Sequence, residues 1–103
     1  MDYIRTRIEK YIQNQEYTIA IEELNSLIDK KTDIVILLIL RGDIYNKKQE
    51  YSKALNDYNR ALKLEPRNKK IASKIEIIKD ILKFQALDIY GATNLNKDPW
   101  LDD

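Results

Sequence analysis

Arg41-Gly42-x-x-Tyr45, Tyr51-x-x-Ala54, Tyr58-x-x-Ala61 and Pro66 decide how this chain is read. Leu38, Gly42 and Tyr45, then Tyr51, Ala54, Tyr58, Ala61 and Leu62, recur at three- and four-residue steps. That spacing gathers each set on one face of a helix. The small residues Gly42, Ala54 and Ala61 let two helices approach closely, and the tyrosines fill the space beside them. Lys47-Lys48-Gln49-Glu50 lies between the two sets and reads as a turn. Pro66 closes the second helix, because a proline biases the residue before it away from the helical region. The stretch is a helical hairpin.

Working outward, the hairpin repeats. Displaced by 34 residues, Tyr11 falls on Tyr45, Glu16-Tyr17 on Glu50-Tyr51, Ala20 on Ala54, Glu23 on Asp57 and Asn25 on Asn59. The matches cluster where size matters for packing, while the charges between them drift. Two units follow, 1–34 and 35–68, as a fixed period in this range predicts for a helical repeat. Residues 68–90 carry no third set of Gly, Tyr and Ala. Their apolar stripe, Ile71, Ile75, Ile78 and Leu82, suits a helix that covers the open face of the last hairpin. Helices are expected near 2–14, 17–30, 34–48, 51–64 and 68–89. Gly91 is expected to end the last one in a left-handed conformation.

The pattern of residues 38–66 resembles the tetratricopeptide repeat (TPR) consensus, with Leu38, Gly42, Tyr45, Ala54, Tyr58, Ala61 and Pro66 at the signature positions. The first unit keeps Tyr11, Tyr17, Ala20, Leu24 and Leu27 but has Ile8 where a small residue is usual and Thr32 in place of the proline. The resemblance implies an all-α, right-handed array of helical hairpins. It would comprise two repeats and a long capping helix in one domain, 1–90, followed by an extended tail, 91–103.

It also implies a concave groove that binds a peptide or helix of a partner protein. By the family's pattern the groove residues are Arg5, Glu9 and Ile12 from repeat one and Ile36, Ile39, Asp43 and Asn46 from repeat two. Ile36 and Ile39 would form an apolar floor between polar walls. Glu9 and Leu40 stand where the chaperone-binding members of the family carry clamp asparagines, which argues against that ligand.

Three features lie outside the repeat. Ile77, Ile81 and Phe84 make a second apolar stripe on the capping helix. Arg67, Lys69, Lys70 and Lys74 form a basic cluster at its start, a landing site for acidic groups or simply a solvated face. Trp100 and Leu101 stand in an otherwise polar, acidic tail and read as an anchor. Together they carry the alternative reading, a homodimeric assembly element whose groove or capping helix is covered by its own or a neighbour's tail.

Composition narrows the function classes. Histidine and cysteine are both absent, which removes the commonest general base and metal ligands, the thiol nucleophile and the disulfide. With two glycines there is no phosphate-cradling loop. No enzyme activity, cofactor, metal or small-molecule substrate is expected. Net charge is +1, with a basic middle and acidic ends, and no aromatic platforms sit among the bases, so no nucleic acid is expected. The longest apolar run, Ile34 to Leu40, falls far short of the ~20 residues a membrane span needs. A cytoplasmic protein is the expectation.

Overall fold

The computed structural model describes residues 2–30 and 34–95, with 2 and 88–95 described as helical backbone only. Among the described residues five helices follow one another: α1 (Asp2–Gln13), α2 (Tyr17–Asp29), α3 (Ile34–Lys47), α4 (Tyr51–Leu64) and α5 (Lys69–Leu95). The fold is all-α and of TPR type. Helices α1 and α2 form one hairpin, α3 and α4 the next, and α5 packs on α4.

The hairpin turns have the same geometry at the same period. Gln15 and Gln49, 34 residues apart, both adopt left-handed backbone, with φ of 59° and 63°. After each, the amide of the following residue reaches back across the helix end: Glu16 N–H to the Tyr11 carbonyl at 2.9 Å, Glu50 N–H to the Tyr45 carbonyl at 2.8 Å. The glutamine amides bond the carbonyls of Ile12 and Asn46, each at 3.0 Å. These paired bonds satisfy carbonyls that a helix end otherwise leaves open.

A different device separates α4 from α5. Glu65, held before Pro66, leaves the helical region with φ −131° and ψ 75°. Asn68 then caps α5, its Oδ1 accepting the Ile71 N–H at 3.1 Å.

Packing centres on α3, which touches α1, α2 and α4. That position explains its apolar run: Leu37, Leu38 and Leu40 are buried, and so is Ile44 a turn later. Its middle, Arg41-Gly42-Asp43, ties the layers together. Gly42 lies close against the ring of the fully buried Tyr58; a Cβ there would stand 2.6 Å from Tyr58 Cε1. Arg41 donates from Nε and Nη2 to both oxygens of the buried Asp57 on α4, at 2.8 and 2.7 Å. Its Nη1 donates to Asn25 on α2 at 2.7 Å. The bidentate pairing supplies the partner that a buried carboxylate requires.

Two sequence expectations change. Helix α5 does not stop at Gly91 but continues to Leu95, and no described glycine has positive φ. A single glycine costs a helix about 1 kcal/mol relative to alanine, which slows a helix without ending it. The proposed tail therefore loses 91–95 to the helix. Thr32, Trp100 and Leu101 lie outside the described residues.

Gly42→Ala is expected to cost about 1–3 kcal/mol in chemical denaturation, because the Tyr58 ring is enclosed and has nowhere to retreat.

Candidate protein-interaction groove

A cleft of about 810 Å³ opens on the side of the molecule where α1, α3 and α5 approach one another. Helix α1 contributes Glu9, Ile12 and Gln13, and the first turn and the start of α2 add Gln15 and Tyr17. Helix α3 supplies Leu40, Asp43, Asn46 and Lys47, and α5 supplies Lys74. Ile12, Tyr17 and Leu40 make the apolar part, with carboxamides and charges around it.

Of the seven residues expected in the groove, Glu9, Ile12, Asp43 and Asn46 line this cleft. Arg5 is exposed on α1 but is not among its lining residues. Ile36 and Ile39 are half-buried and packed against the core, and they do not line it either. The apolar residue that α3 gives the cleft is Leu40. A helix that is apolar on all sides offers no stripe to show which residue faces which neighbour, so the sequence alone did not separate Leu40 from Ile36 and Ile39.

Lys74 changes role. Its Nζ sits 3.0 Å from the Asp43 carboxylate and 5.8 Å from the centroid of the Tyr58 ring. The Tyr58 hydroxyl donates to the same Asp43 oxygen. One carboxylate thus joins α3, α4 and α5 at the cleft wall, and Lys74 is not an open landing site for outside acids. Arg67, Lys69 and Lys70 remain exposed, with no carboxylate partner among the described residues. The signal for Lys74 was present: it lies between Ile71 and Ile78, on the edge of the buried face of α5.

Burial, reinforced by the bond to Asp43, pushes the Tyr58 phenol well above the ordinary tyrosine range and keeps it protonated.

The model of the tetratricopeptide repeat family matches residues 35–68. Those residues are a tetratricopeptide repeat. The match spans the same 34 residues as the second sequence unit, and the recurrence of the Gln15 turn at Gln49 gives the first TPR-type hairpin the geometry of the second. The match over 35–68 and the five helices fit a small TPR-like protein. No curated protein and no solved structure matches it. TPR repeats are generally protein–protein interaction modules, and the family is typically non-catalytic. No described helix is long and apolar enough to cross a membrane.

The raised Tyr58 pKa sets a sign for alkaline behaviour. A phenol that ionises near pH 10 only after unfolding contributes stability that is present below that pH and lost above it. Chemical denaturation at pH 9 to 11 should show stability falling, with a shallower fall in Tyr58→Phe.

Proposed function

We propose that this protein is a non-catalytic interaction module that binds a segment of a partner protein in the cleft between α1, α3 and α5. The observation that carries this reading is the composition of the cleft. Ile12, Tyr17 and Leu40 offer apolar contact, while Gln13 and Asn46 offer carboxamides suited to a peptide backbone. A polypeptide presents both chemistries along its length.

Asp43 and Lys74 are spent on each other, so within the cleft Glu9 and Lys47 are the charged groups left to set direction and register. Arg5, Ile36 and Ile39 lie beyond the cleft and would meet a ligand only if it extended along α1 and α3. A cytoplasmic setting suits the role.

A second reading is self-association, and a specific observation favours it: Ile77, Phe84 and Leu87 on α5 are exposed. The two readings use different surfaces and are compatible.

A peptide library selected on the full chain should yield ligands whose affinity falls at least tenfold in the double variant Glu9→Arg, Asn46→Ala. Both positions are outside the buried core, so the melting temperature should stay within a few degrees of wild type. Ligands that bind the variant equally well would contradict the groove reading.

A further inference from the structure

The cleft is built from matched positions of the two units. Glu9 and Asp43, Ile12 and Asn46, and Gln13 and Lys47 all line it, and each pair stands 34 positions apart. Equivalent residues of α1 and α3 therefore face the same space, one helix on each side. Along α3 the lining runs from Leu40 to Lys47, about 10 Å at about 1.5 Å per residue. That length takes roughly three residues of an extended chain, at about 3.3 Å each.

The two walls carry opposite unpaired charges. Arg41 is bound to Asp57, and Asp43 to Lys74, which leaves Lys47 as the charge of α3 without a salt bridge among the described residues. On α1, Glu9 likewise makes no salt bridge among the described residues. Both side chains are exposed. Glu9 is the counterpart of Asp43, and Lys47 lies four residues, or about 6 Å, beyond Asp43 toward the hairpin turn. An anion thus stands on the α1 wall and a cation on the α3 wall, offset by about one helical turn.

We propose that the cleft selects an extended segment with a basic and an acidic residue on opposite sides, the base against Glu9 and the acid against Lys47. The proposal rests on the reading of the cleft as a peptide site. A helix satisfies most of its own backbone groups, whereas an extended chain leaves them open. Gln13 and Asn46, one on each wall, supply donors and acceptors to meet them. Successive side chains of an extended chain point to opposite sides. Residues that reach opposite walls are therefore an odd number of positions apart, one or three within the length of the cleft.

The same charges orient the ligand. Turned end for end, it would bring its base to Lys47 and its acid to Glu9. Exposed charges of this kind add modestly to affinity and act mainly on specificity and association rate.

The test starts from linear peptides selected from a random library on the full chain. The expected ligands carry a base and an acid one or three positions apart. The double variant Gln13→Ala, Asn46→Ala reads the cleft without touching its charges and should weaken binding roughly tenfold. Glu9→Lys and Lys47→Glu, each at an exposed position, should each weaken it roughly three- to tenfold with unchanged helical circular dichroism. Binding to Glu9→Lys should return when the peptide's base is replaced by glutamate, and binding to Lys47→Glu when its acid is replaced by lysine. Ligands that respond to the carboxamide variant but keep full affinity for both charge reversals overturn the proposal and leave the cleft reading standing. A loss that the swapped peptides do not recover overturns it as well, because the charges then act on the protein and not on the ligand. Ligands indifferent to every variant overturn both readings together.

Discussion

The close approach of Gly42 to the Tyr58 ring is the constraint on which the rest of the structure depends. A residue without a Cβ on α3 lets the ring of a tyrosine from α4 pack close against it. The buried ring then delivers its hydroxyl to Asp43 on the far side, where Lys74 of α5 meets the same carboxylate. On the other flank of Gly42, Arg41 reaches Asp57 on α4 and Asn25 on α2. Three consecutive residues therefore hold four helices in register. Arg41 ties the two hairpins together, Gly42 sets the separation of α3 and α4, and Asp43 seats the cap.

The proposed function depends on that arrangement because Asp43 and Lys74 also line the cleft. Asp43 is both the anchor for α5 and part of the cleft wall, so seating of the cap and the shape of the groove are linked. The stability of the wall rests mostly on burial. The Asp43–Lys74 pair is partly exposed, and such pairs contribute modestly, whereas the enclosed Tyr58 and the buried Arg41–Asp57 pair cannot be unmade cheaply. A ligand that competes for Lys74 would thus loosen one contact of the cap and leave the hairpins intact.

Much of the fold was legible in the sequence because its signals were steric. Tyr, Ala and Gly at helical steps placed four helices to within a residue at each end, and Pro66 placed the break before the fifth. What was not legible depended on context. Gln15 and Gln49 carry no mark of left-handed backbone, since glutamine is not a residue that favours it, although their 34-residue spacing was available to be noticed. Gly91 had the identity of a helix terminator but not the surroundings of one. At the site, the family pattern placed Glu9, Ile12, Asp43 and Asn46 on the cleft, while Ile36 and Ile39 went to the margin of the core because α3 has neighbours on several sides. Lys74 was read as part of a basic surface although its place between Ile71 and Ile78 set it beside the buried face; its partner, 31 positions earlier, is fixed only when α5 docks.

The most direct measurement of the central claim is where a bound peptide sits. Isotope-labelled full chain, titrated with a peptide selected on it, reports this residue by residue through amide and methyl shifts. The account predicts that the largest changes fall on Ile12, Tyr17, Leu40 and Asn46, with Ile77 and Phe84 little altered. Shifts confined to the outer face of α5, with the cleft residues unmoved, would contradict it and make that face the recognition surface instead.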